Sequence, residues 1–313
     1  MALKIFSISR NIHRKQMKRT YKLSIIIVIA FMAITMQSRA QLNPLTSQYY
    51  TNQYLINPAY AGISDGLKIN AAYRKLWDNV PGSPLTQSLT ADYGFKRVGI
   101  GLNVYNESAG LQRQIRVVGT YAYHLPLNGD GQQLHFGVSF GFMNQRLENG
   151  DLNGNPGDPL VAAYNTRKTY VDGDFGVSYT SSHLEIQAAV PNLKTALKRD
   201  AIMLADVTTF YGAVSYRVNL SKDLDGTDIN PKVAYRTVRG FDNILDAGAQ
   251  LEFANKQVFL LGLYHSTKSA TFGVGMDYKK KYLISGSYTT QTSELNNYTN
   301  GSFELNLRLN LGK

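Results

Sequence analysis

The chain contains no cysteine, which excludes a disulfide framework, a thiol nucleophile and a Cys-ligated metal. It also excludes a lipid anchor on cysteine, so a membrane-bound form has to be held by its own protein surface. Beyond residue 40 no apolar run approaches the ~20 residues of a transmembrane helix, and helical amphipathic periodicity is scarce. Tryptophan occurs once, as Trp77. Acidic residues are absent from the first forty positions.

Those forty positions read as a leader. Lys4, Arg10, Arg14, Lys15, Lys18, Arg19 and Lys22 precede an apolar stretch from Leu23 to Met36, which gives way to Gln37-Ser38-Arg39-Ala40. A basic head, a short apolar core and a small-x-small end describe a secretory signal peptide, with cleavage expected before Gln41. A true N-terminal anchor is the other reading, but the core is short for a span. Met17 offers an alternative start of more ordinary signal length. With Arg39 the leader holds eight of the 33 Lys and Arg, leaving 25 against 22 acidic residues, so the mature chain carries about +3 of the formal +11. A basic-patch argument for nucleic acid therefore fails.

Residues 41–313 show alternation of period two, broken by Gly/Asn/Asp clusters. Phe136, Val138, Phe140 and Phe142 alternate with His135, Gly137, Ser139, Gly141 and Met143. Phe272, Val274, Met276 and Tyr278 alternate with Thr271, Gly273, Gly275 and Asp277. Phe303, Leu305, Leu307, Leu309 and Leu311 do so with Glu304, Asn306, Arg308 and Asn310. One apolar face against a small or polar face suits a barrel strand between lipid and a wet lumen. A soluble β-sandwich would alternate too. Against it stand 21 tyrosines, several near strand ends where barrels carry aromatic girdles. Many segments also run to about 10 residues, the length that crosses a bilayer at a tilt.

The expected fold is all-β, a transmembrane antiparallel β-barrel of fourteen strands. The predicted strands lie near 67–76, 86–95, 97–106, 112–125, 132–147, 169–180, 183–190, 206–220, 228–239, 242–254, 256–266, 269–278, 281–291 and 301–312. An even number fits a single-chain bacterial barrel. If the first strand starts in the periplasm, odd connections face outward, and the longest gaps (148–168, 191–205 and 291–300) are all odd, while of the even connections only 221–227 is long for its side. The expected division is a leader at 1–40, a pre-strand segment at 41–66 and a barrel at 67–313. The pre-strand segment is too polar to face lipid, and is expected to fold into the lumen or close the periplasmic mouth.

That segment reads QLNPLTSQYYTNQYLINPAYAG over 41–62, with Asn57, Pro58, Ala59, Tyr60, Ala61 and Gly62 at its core. With Ser47-Gln48-Tyr49 ahead of it, the block resembles the N-terminal signature of the PorP/SprF family of the bacterial type IX secretion system. Tyr73-Arg74 and Trp77 are similar to the family's Arg-x-x-Trp element, and Gly82-Ser83-Pro84 to the Gly-x-Pro after it. Val98-Gly99-Ile100-Gly101 with Asn106 and Gly110, Thr120-Tyr121-Ala122-Tyr123, Leu134-His135-Phe136-Gly137 and Asp158-Pro159 extend the likeness, which is dense to about residue 160 and thin beyond. The opening Gln41-Leu42-Asn43-Pro44 departs from the family's usual start.

The resemblance implies a non-enzymatic outer-membrane component that anchors or helps to export surface proteins or gliding adhesins, or links the machinery to the cell wall. It implies as partners a cargo with a C-terminal sorting domain, a periplasmic peptidoglycan-associated protein and other type IX components. Asn57–Gly62, Arg74, Trp77 and Pro84 are then the candidate contact residues. By chemistry alone, Asn57-Pro58 fixes an extended or turn conformation, and the block can equally be a plug that starts the barrel in register. Trp77 can equally be an interfacial anchor. A passive porin or small-solute channel is the rival function.

Other motifs point to little chemistry. Gly137-Val138-Ser139-Phe140-Gly141 spells G-x-S-x-G, but a hydrolase elbow needs a strand-to-helix turn, and here the serine sits inside an alternating run. His124, His135, His183 and His265 lack metal-ligand spacing. Asp151, Asn153 and Asn155 have calcium-loop spacing, yet Pro156 and Ala162 stand where the turn glycine and bidentate glutamate belong. Asp223, Asp225 and Asp228 form a second acidic turn. No cofactor, metal or nucleic acid is expected.

Overall fold

The computed structural model describes residues 47–77, 79–127, 131–147, 169–197, 208–220, 226–238, 242–291 and 299–312. All of them belong to the unit Ala40–Lys313. The leader, the Asp151–Asn155 stretch, and Asp223 and Asp225 lie outside the described residues.

Among the described residues fourteen strands form, the first seven being β1 (Gly66–Leu76), β2 (Leu85–Phe95), β3 (Val98–Ala109), β4 (Gln112–Pro126), β5 (Gln133–Leu147), β6 (Tyr170–Thr180) and β7 (Leu184–Val190). The second half holds β8 (Thr208–Tyr216), β9 (Asp228–Val238), β10 (Ile244–Phe253), β11 (Val258–His265), β12 (Ser269–Tyr278), β13 (Tyr282–Thr289) and β14 (Ser302–Asn310). Each pairs antiparallel with the next, and β14 closes on β1 from Asn310↔Lys68 to Ser302↔Leu76. Closure leaves no sheet edge, which is what a strand protein needs in lipid. The expected segment 206–220 is interrupted at one residue. Val218–Asn219 continues β8 in the same register on β9, while Arg217 donates its N–H to His183 O on the opposite side (2.7 Å).

Alternation sorts the side chains as the sequence predicts. On β5, Phe136, Val138, Phe140 and Phe142 face outward, Phe140 at 66% exposure, while His135, Gly137, Ser139, Gly141 and Met143 are buried inward. Phe272, Val274, Met276 and Tyr278 on β12, and Phe303, Leu305 and Leu307 on β14, are likewise outward. An exposed apolar face this continuous is lipid-facing. Aromatic rings gather at both ends of that face: Tyr73, Tyr264, Tyr288 and Phe303 at one, Tyr93, Phe95, Tyr216, Tyr278 and Tyr282 at the other.

The two ends differ in their connections. At the Gly66 end the chain turns within residues 96–97, 181–183, 254–257 and 279–281, with Lys96, Ala254, Asn255, Lys256, Lys279 and Lys280 at positive φ. At the other end lie the wide connections 148–169, 191–207 and 290–301, the second containing a short helix, Leu193–Leu197. Short turns mark the periplasmic mouth of such barrels.

Inside the wall charged residues of opposite sign meet. Arg116 meets Asp174 (2.5 Å), Lys256 meets Asp228 (2.7 Å), and Arg308 meets Asp277. Asp228, from the second acidic turn, is thus held by a lysine. A buried charge without such a partner would cost several kcal/mol.

Candidate functional site

The sequence block before β1 sits within this ring of strands. It folds as helix α1 (Gln48–Thr51) followed by 3-10 turns at Gln53–Leu55 and Pro58–Tyr60. The second turn is written into its residues. Asn57 caps it, its Oδ1 accepting from Ala59 N–H (3.0 Å), and Pro58 occupies the first position, where a missing N–H does no harm. Tyr60 and Ala61 N–H then return to the Asn57 and Pro58 carbonyls (both 3.1 Å).

What receives this turn is a belt of small residues running across seven strands. Gly66 of β1 is paired with Gly94 of β2, Gly94 with Gly99 of β3, and Gly99 with Ala122 of β4. Ala122 is paired with Gly137 of β5, Gly137 with Gly176 of β6, and Gly176 with Ala189 of β7. Residues 57–64 follow that belt strand by strand. A Cβ added at Gly176 would meet Asn57 Oδ1 at 2.0 Å, and one at Gly137 would meet Pro58 C at 2.2 Å. At Gly99 it would meet Ala61 O at 1.8 Å, and at Gly94 Ser64 O at 2.2 Å. No side chain fits in those gaps. The wall is bare there because the inner segment occupies the space, with its backbone at Gly94, Gly99 and Gly137 and with the Asn57 side chain at Gly176.

Hydrogen bonds complete the seat. Asn57 Nδ2 donates to Val177 O and Gln187 Oε1 (both 3.3 Å), and Gly62 N–H donates to Asp92 Oδ2 (2.9 Å). Gly62 has φ +63°, which a side chain would strain. His124 Nε2 lies 3.1 Å from Ala61 O; a carbonyl only accepts, so that nitrogen carries the proton. His124 Nδ1 is 2.8 Å from His135 Nδ1, and His135 Nε2 is 2.8 Å from Thr180 Oγ1. Strand register makes His124 and His135 direct partners, a proximity that sequence spacing did not reveal.

Residues 47–55 are held by side chains from both halves of the wall. Ser47 Oγ donates to Glu304, and Gln48 Nε2 does so at 3.1 Å. Tyr49 O–H donates to Asp246, which also faces Arg236 (3.7 Å) and His265 (2.6 Å). Lys232 Nζ donates to Tyr49 O (2.8 Å) and pairs with Glu185 (3.2 Å). Tyr54 O–H reaches Thr120 Oγ1 (2.8 Å). Burial raises the pKa of both Tyr49 and Tyr54, so each remains a protonated donor. Tyr49 also packs on Tyr211, with Phe259, Leu261, Leu263 and Leu283 in the same inward cluster.

The predicted residues therefore separate into two groups. Asn57, Pro58, Ala59, Tyr60, Ala61 and Gly62 come together on the belt and are buried, Asn57, Ala59 and Ala61 without any exposed surface. Arg74, Trp77 and Pro84 lie toward the wide-connection mouth. Arg74 faces Glu304 (4.0 Å) inside the wall. Trp77 follows β1 with φ +48° and donates its N–H to Gly301 O (3.1 Å), and Pro84 O accepts from Leu76 N–H (2.9 Å). Trp77 and Pro84 are partly exposed. Ser139 lies within strand β5 with its hydroxyl 2.8 Å from Thr120 Oγ1, and Gly137 of the same motif serves the belt. That is not the turn a hydrolase elbow requires.

Sequence reasoning named none of Asp92, Glu185, Lys232, Asp246 and Glu304 as part of the site. Their inward position follows from period-two alternation, but their convergence on one segment needs the closed ring. Among the described residues no group of three or more His, Cys, Asp or Glu could hold a metal ion.

A family model described as "Type IX secretion system membrane protein PorP/SprF" matches residues 38–309. No curated protein matches the chain. Among solved structures, the Acinetobacter baumannii outer membrane protein Omp33 is similar at 9% identity and TM-score 0.49, over 80% of this chain and 100% of that one. The CymD monoaromatic hydrocarbon channel matches at 10% identity and TM-score 0.47, over 88% and 95%. The P. putida toluene transporter TodX matches at 11% identity and TM-score 0.46, over 84% and 94%.

Proposed function

Because the chain belongs to the PorP/SprF family of type IX secretion system membrane proteins, we propose that it acts as a plugged, non-enzymatic docking component of that system in the outer membrane. In this reading it holds or helps to export surface proteins, gliding adhesins among them, and does not conduct solutes. The observation that carries it is the occupied lumen: residues 57–64 are seated against glycines that leave no room for side chains, and residues 47–64 are tied to both halves of the wall.

Asn57–Gly62 then serve by closing the barrel and setting the start of β1, since Asn57, Ala59 and Ala61 have no surface left for a partner. Trp77 and Pro84, partly exposed at the wide-connection mouth, are the contacts offered to cargo bearing a C-terminal sorting domain. The periplasmic mouth, with its short turns, is the side offered to a peptidoglycan-associated protein or another type IX component. Signal cleavage before Gln41 precedes assembly.

Deleting the gene should release surface cargo into the medium, detected by immunoblot of cell and supernatant fractions; unchanged display would sink the reading. The porin alternative is decided in planar bilayers. The intact barrel should show no steady conductance, and a chain lacking residues 47–62 should show open-channel steps if its strands still close. Steady conductance of the intact barrel would restore the porin.

A further inference from the structure

The lipid-facing surface carries a feature that plugging and cargo docking leave unexplained. At the short-turn end, three lysine ammonium groups rest over outward aromatic rings: Lys96 over Phe95 (5.2 Å), Lys279 over Tyr278 (5.2 Å) and Lys281 over Tyr282 (5.5 Å). All three rings are exposed on the membrane side, Phe95 at 59% and Tyr282 at 52%. Arg97 and Lys280 are exposed beside them. Among the described residues none of these five side chains is ion-paired. The acidic neighbours are engaged elsewhere: Asp277 with Arg308, and Asp65 with the backbone N–H of Lys96 (3.2 Å).

The two turns flank the seam where the barrel closes. Residues 279–281 lie beside the end of β14, with Asn310 N–H bonded to Lys281 O (2.8 Å), and β14 pairs with β1, which pairs with β2. Four strand spacings separate the two turns, about 20 Å of wall. A cation held over a lipid-facing ring sits at the level of the headgroups rather than below them in the periplasm. At these two turns the lysine charges lie against the membrane face of the wall.

We propose that Lys96, Arg97, Lys279, Lys280 and Lys281 form a binding site for the phosphates of anionic phospholipids in the periplasmic leaflet, placed at the β14–β1 seam. The aromatic rings set the depth of the ammonium groups, and the phosphates neutralise a charge cluster that the protein leaves uncompensated. The site would hold a ring of lipid against the one strand pair formed between the two ends of the chain.

The test uses the full mature barrel in detergent, titrated with phosphatidylglycerol and, separately, with phosphatidylcholine, and read by native mass spectrometry. Phosphatidylglycerol should be retained over phosphatidylcholine. The Lys279→Gln/Lys280→Gln/Lys281→Gln variant should bind it about a hundredfold more weakly, at roughly fivefold per cation near an anionic lipid surface. The corresponding Lys→Arg variant should bind as the parent does, and Lys256→Gln, whose lysine is paired with Asp228, should retain the lipid. Heat-modifiable migration on gels confirms that each variant is folded. Equal retention by parent and Gln variant, or no preference for phosphatidylglycerol, overturns the proposal. So does displacement by millimolar inorganic phosphate, which would mark a site for soluble phosphate. Loss of a co-purifying periplasmic protein with lipid retention unchanged would assign the patch to that protein instead.

Discussion

The two halves of the lumen wall hold the same inner segment by different physics. Strands β1–β7 offer a row of Gly66, Gly94, Gly99, Ala122, Gly137, Gly176 and Ala189, and at Gly94, Gly99 and Gly137 backbone lies on backbone. Strands β9–β14 offer Lys232, Asp246, Glu304 and Asn306, and take Ser47, Gln48 and Tyr49 by charge-assisted hydrogen bonds around an apolar floor of Phe259, Leu261 and Leu263. The first half excludes any sequence that does not keep its gaps empty. The second accepts any set of groups that balances charge and donors.

The largest effect should come from filling the belt. Gly99→Val with Gly137→Val should lower the unfolding free energy by about 4 kcal/mol, at about 1–3 kcal/mol for each overpacked position. It should also expose residues 47–62 to protease. Urea titration and limited proteolysis measure both, and a protected segment in the double variant would break the comparison.

Asp246→Ala comes next. It removes one carboxylate from Arg236, His265 and Tyr49 at once, at a cost of about 3 kcal/mol for breaking a buried ion pair. The segment should nevertheless stay protected at residues 57–62, since the belt is untouched. Loss of protection along the whole segment would show that the two halves act as one unit. Gly262→Ala sets the lower bound. Nothing lies within 4 Å of its added Cβ, so stability should stay within about 0.5 kcal/mol. A large loss there would mean that glycine matters to these strands for some reason other than the plug.

The strand pattern was legible because a barrel strand divides its environment residue by residue, lipid on one side and lumen on the other. Phe136–Met143, Phe272–Tyr278 and Phe303–Leu311 declare their faces without reference to any neighbour, and the count of fourteen followed. That Asn57-Pro58 takes an extended or turn conformation was legible for the same local reason; the capped 3-10 turn was not. By contrast, G-x-S-x-G reads as chemistry in one dimension, yet Gly137 is there to make room for Pro58. His124 and His135 are eleven residues apart in sequence and 2.8 Å apart across the hairpin.

The sequence by itself therefore determined the class of the protein: a strand-built envelope barrel with a conspicuous block before its first strand. Tertiary structure decided what that block does. Whether a glycine is slack or a seat, and whether Asp246 and Glu304 are a surface charge or a clamp, depends on cross-strand register and on closure of β14 onto β1. Those are set by pairings between residues as far as about 240 positions apart, which no local pattern encodes.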